Sequence, residues 1–81
     1  MGMSTVISNQ EIAKIVAANF RKQLDETGLS MREIARRTGD SAMTLSNVLS
    51  GKHTPNVGLV ARIAEALDVD ICEMLPQRQK N

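Results

Sequence analysis

An all-α fold, a compact bundle of five short helices, is the architecture this 81-residue sequence predicts, on three observations. Apolar residues recur at intervals of three and four along most of the chain, the helical period. Capping patterns of the Ser-x-x-Glu kind recur ahead of those stretches, and Gly follows several of them. No segment sustains the period-two alternation of a half-buried strand.

Residues 1–7 read as a flexible N-terminal arm. Ser8-Asn9-Gln10-Glu11 fits a capping box, in which the Ser hydroxyl satisfies an orphan N–H and the Glu reaches back. A first helix follows to about Thr27. Its stripe is Ile12, Ile15, Val16, Phe20 and Leu24, Asn19 lies beside it, and Gly28 is the stop. Ser30-Met31-Arg32-Glu33 repeats the box and opens a short second helix from Met31 to Thr38. Ile34 and Ala35 point inward there, while Arg32 and Arg36, four apart, share the outer face. Gly39 provides the left-handed residue that ends this helix and aims the next.

Asp40 or Ser41 caps a third helix running to about Ser50, and Gly51 closes it. Leu45 and Val48, with Leu49 beside them, form its buried side. Ser41, Ala42, Met43, Thr44, Ser46 and Asn47 fall largely on the open side. Lys52-His53-Thr54-Pro55 is a loop, and Asn56 caps a fourth helix to about Leu67 carrying Val57, Val60, Ile63, Ala64 and Leu67. Asp70-Ile71-Cys72-Glu73 offers a third cap and box, opening a short fifth helix through Leu75 that Pro76 ends. The domain therefore spans 8–76, and 77–81 form a polar, frayed tail.

Composition narrows the function. Apolar content is 42% and Phe20 is the only aromatic, so the core is aliphatic and thin, and dimerisation would support it. Net charge is only +1, low for a nucleic-acid binder. The positive excess sits in residues 29–56, where Arg32, Arg36, Arg37 and Lys52 face only Glu33 and Asp40. A solvated helix face explains that excess nearly as well. The chain's single Cys, Cys72, permits no intramolecular disulfide and reads as a small buried hydrophobe, consistent with a reducing cytoplasm. There is no secretory segment and no apolar run long enough to cross a bilayer.

The most informative stretch is residues 29–56. Two short amphipathic helices joined through Gly39 allow a sharp crossing, and a helix held out from a compact body can enter the DNA major groove. Catalysis is not expected. A lone His53 with one distant Cys makes neither a zinc site nor a triad, and no phosphate-binding glycine loop or dinucleotide fingerprint is present. Ser30 with Glu33, Ser8 with Glu11, and Asp70 with Glu73 read as capping pairs rather than catalytic groups. No cofactor or metal is expected.

The order Leu29-Ser30, Ile34-Ala35, Gly39, Ser41, Leu45-Ser46, Gly51-Lys52, Pro55, Ile63-Ala64, Ala66-Leu67-Asp68-Val69 and Leu75 resembles the lambda-repressor-like, Cro/C1-type (XRE) helix-turn-helix domains. The resemblance spans about residues 10–75. It implies a five-helix bundle whose second and third helices form the helix-turn-helix, with the third reading DNA. It implies a transcriptional regulator, a repressor, binding a palindromic operator as a homodimer. Carried over position by position, the base-reading residues are Ser41, Ala42, Met43, Thr44, Ser46 and Asn47. Phosphate contacts fall to Ser30, Met31, Arg32, Lys52, His53, Thr54 and Asn56. Ile71, Met74 and Leu75 are the dimer candidates, unless they only close the monomer core.

This sequence departs from the family where Gln, Arg or Lys often begin the third helix: it has Ala42 and Met43. Leu49 stands where many members carry an acidic residue. Reading then leans on Asn47, on hydroxyls, on apolar contact with thymine methyls, and partly on DNA shape. The alternative expectation is a protein-interaction module, such as the antitoxin partner of a toxin, with DNA binding secondary.

Overall fold

In the computed structural model, which describes residues 8–76, four α-helices surround an aliphatic core. They are α1 (Asn9–Thr27), α2 (Met31–Thr38), α3 (Ala42–Leu49) and α4 (Val57–Leu67), followed by a 3-10 turn at Ile71–Glu73. No strand occurs among the described residues. The expected arm at 1–7 and tail at 77–81 lie outside them.

The starts obey the predicted chemistry. Ser8 accepts from the Glu11 amide, and the Glu11 carboxylate accepts from the Ser8 amide, completing the capping box of α1. The side-chain oxygens of Ser30, Ser41 and Asn56 likewise accept the amide three residues on, capping α2, α3 and α4 without a reciprocal bond. Gly28 and Gly39 end α1 and α2 with φ of 74° and 81°, a region that L side chains rarely adopt. The tight α2–α3 turn depends on the second of these.

The expected fifth α-helix is corrected. Asp70 occupies the cap position but its side chain makes no capping bond, and the turn closes through i→i+3 bonds to Asp70 O and Ile71 O. With Pro76 just beyond, one tight turn is all that forms. Two α1 amides hold it. Asn19 Nδ2 donates to the Met74 carbonyl at 3.0 Å, and Gln23 Nε2 to Glu73 Oε1 at 3.5 Å. Gln23 is the buried polar side chain of the domain, and nothing in its apolar-stripe spacing announced it.

Phe20, Ile34, Leu45, Ile63, Met74, Val16 and Val60 are completely or almost completely enclosed. They draw on all four helices and on the residue after the 3-10 turn, so the core joins α1 to the segment that follows α4. Met74 is 0% exposed, which removes it from the dimer candidates: it closes the monomer core. Cys72, expected to be buried, is exposed: Ile71, Met74 and Leu75 pack against the core from this segment, and Cys72 lies on its other side. No helix among the described residues is long and apolar enough to cross a membrane.

Candidate nucleic-acid interface

Leu45 and Val48, 0% and 2% exposed, pin α3 against the bundle. α3 packs on α1 and α2, and its opposite side is open. Ser41, Ala42, Met43 and Ser46 are exposed, while Thr44 and Asn47 are half-buried at the margin. Met43 is 74% exposed, the most exposed large apolar side chain of the domain. Of the six predicted base-reading positions, Ala42, Met43 and Ser46 are exposed on α3, Ser41 is exposed at its cap, and Thr44 and Asn47 border them.

Their hydroxyls are not equivalent. Ser41 Oγ accepts from the Thr44 amide at 3.1 Å and shares a second bond of 2.9 Å with Thr44 Oγ1. Capping thus engages both hydroxyls. The Asn47 carbonyl accepts from Ser50 Oγ, but no bond within the described residues holds its side-chain amide.

The expected phosphate residues fall in two places. Ser30 and Arg32 border a shallow concavity at the start of α2, where Met31 is half-buried against the core. Beyond α3, His53, Thr54 and Asn56 join Thr44 and Asn47 around an open notch of roughly 250 Å³, and Lys52 lies exposed in the same loop. Two of these side chains already have structural duties. Asn56 Oδ1 accepts the Leu59 amide at 2.7 Å. Thr54 Oγ1 donates to the Asn9 carbonyl at 2.8 Å, tying this loop to the start of α1.

An ion pair that sequence spacing does not reveal fixes the start of α3. Arg62 Nε and Nη2 donate to both oxygens of Asp40, each at 3.1 Å, tying the turn before α3 to α4. Ser41, not Asp40, is consequently the α3 cap. Arg37 Nη1 donates to the Ala66 carbonyl at 2.8 Å, satisfying a C-terminal carbonyl of α4. Arg36 and Arg37 both bind Glu33, so the box expected at Ser30–Glu33 is only half formed. Arg36 and Arg37, part of the basic excess on the outer face, are thus bound to Glu33, whereas Arg32 makes no such bond.

These bonds leave a signature in acid. Hydrogen bonding by Arg36, and then by Arg37, lowers the Glu33 pKa from its ordinary 4.5 to about 2. The Arg62 bonds lower Asp40 in the same direction. A carboxylate depressed on folding stabilises fully above its unfolded pKa and loses that contribution as pH falls through the folded one. The melting temperature is therefore expected to drop between pH 4.5 and about 2. Glu33→Gln should show a smaller drop over that interval by circular dichroism, and an unchanged drop would refute the assignment.

Among the described residues, no group of three or more His, Cys, Asp or Glu side chains could hold a metal ion. Comparisons with known proteins agree with the geometry. Residues 20–74 match the family model described as Helix-turn-helix. The chain is 32% identical over 65 residues to an uncharacterized HTH-type transcriptional regulator, y4dJ, of Sinorhizobium fredii (strain NBRC 101917 / NGR234), covering 80% of this chain and 84% of that one. It also resembles the crystal structure of the hypothetical transcription factor NHTF from Neisseria, with a TM-score of 0.76 and 22% identity over 94% of this chain and 87% of that one.

Proposed function

Because this chain belongs to the XRE-type helix-turn-helix family of DNA-binding domains, we propose that it regulates transcription as a repressor, bound as a homodimer to a palindromic operator. One observation carries the reading: α3 is anchored by Leu45 and Val48 and leaves Ser41, Ala42, Met43 and Ser46 uncovered. A helix so held can lie in a major groove with its early residues against base edges. In this account Ser30, the Met31 amide, Arg32, Lys52 and His53 set the register on phosphates, and Asn47 pairs with a base. Two such helices would enter successive grooves about 34–36 Å apart and exclude polymerase from the promoter. Ile71 and Leu75, half-buried beside the C-terminal turn, are the dimer contacts of this reading.

Duplex binding across a salt series tests it. A logarithmic slope of several units is expected from counterion release. Lys52→Ala should weaken all sequences alike and reduce the slope by about 1, whereas Asn47→Ala should relax preference at one base pair. A footprint of two symmetric half-sites supports the dimer, and a single half-site contradicts it.

The net charge of +1 and the exposure of Met43 and Val57, 74% and 70%, favour a second reading. There the same face docks a protein partner, such as a toxin, and DNA binding is secondary. Absence of duplex binding at low salt, together with tight capture of a protein partner, decides for it.

A further inference from the structure

No side chain of α3 is charged, from Ala42 through Leu49. Guanine presents two acceptors in the major groove, and its common reader is a cation carrying two donors. α3 has no such group. Arg36 and Arg37 are held on Glu33, Arg37 also on the Ala66 carbonyl, and Arg62 on Asp40, while Arg32 and Lys52, which carry no such tie, lie outside α3 and serve phosphates in the reading above.

The Ser41–Thr44 bond engages two of the remaining hydroxyls. Ala42, Met43, Ser46 and the Asn47 amide are left for base edges. Met43 is the dominant surface among them, exposed and apolar on the first turn of α3. Thymine alone among the four bases carries a methyl group into the major groove, and adenine alone offers the N6 donor and N7 acceptor that suit an Asn amide.

We propose that the operator half-site is A·T-rich and is recognised chiefly through thymine 5-methyl groups packed on Met43 and Ala42, with one adenine opposite Asn47 and no guanine contacted by α3. This rests on the reading that α3 enters the major groove. The apolar patch that weakens a charge-based argument for DNA binding is then the specificity element itself.

The test begins with selection from a randomised duplex library by the whole protein. Thymines of the recovered site are then replaced one at a time by deoxyuridine, which removes only the methyl. An A·T-rich half-site is expected, with about fourfold weaker binding at each methyl-contacting position. In Met43→Ala, confirmed folded by circular dichroism, the thymine-to-uracil ratio at one such position should fall to near unity. A guanine-dominated half-site overturns the proposal, as does indifference to uracil at every position, while leaving duplex binding intact. Failure to retain any duplex at low salt overturns the groove reading and this proposal with it.

Discussion

Phe20→Ala is expected to lower the unfolding free energy by about 3–5 kcal/mol, the usual cost of deleting a buried Phe ring. Phe20 is 0% exposed and is the only aromatic in the chain. Its neighbours in the core are Val, Ile, Leu, Ala and Met side chains, and a substantial void would remain where the ring stood. Domains are stable by only about 5–15 kcal/mol, and small aliphatic ones sit toward the lower end. The variant should therefore unfold at a much lower urea concentration, with the slope of the transition unchanged. Arg21→Ala, one position along and exposed, should barely move the midpoint. A Phe20→Ala midpoint close to that control would show that the core is organised around another residue.

Ser46→Glu is expected to weaken duplex binding by roughly a hundredfold while leaving the melting temperature nearly unchanged. Ser46 is exposed in the middle of α3, its side chain makes no bond within the described residues, and Glu is a good helix former. If α3 lies in a groove, the new carboxylate meets a wall of phosphates, and like-charge juxtaposition at an interface costs several kcal/mol. If α3 is merely a packed helix, the substitution changes little. Filter retention at low salt reads the first effect, and thermal melting reads the second.

The helices were legible in the sequence because their ends are local events. Ser8, Ser30, Ser41 and Asn56 each cap the helix that follows them, and Gly28 and Gly39 terminate theirs, through interactions within four residues. The buried side of α3 was legible for the same reason: Leu45 and Val48 are three apart and share one helical face.

What escaped was non-local. Asp40 meets Arg62 across 22 residues, Arg37 reaches Ala66 across 29, and Asn19 reaches Met74 across 55. No spacing rule pairs such groups. No fifth α-helix forms because the Asp70 side chain makes no capping bond; in the tight turn that replaces it the apolar period no longer buries Cys72, and Met74 closes the core. On the exposed side of α3, the sequence already marked Ser41 as a candidate cap and Asn47 as the amide on which base reading would lean, but it gave no sign that Thr44 is bound to Ser41. Only the three-dimensional arrangement separates the mutually engaged Ser41 and Thr44 from Ser46 and Asn47.

The most direct test of α3 as the reading element is a titration of ¹⁵N-labelled protein with duplex DNA, followed by amide chemical shifts. The largest changes are expected at residues 41–47 and in the loop 52–56, with smaller ones at the start of α2. Shifts confined to the outer face of α1 or to the turn at Ile71–Glu73, with residues 41–47 unmoved, would contradict it.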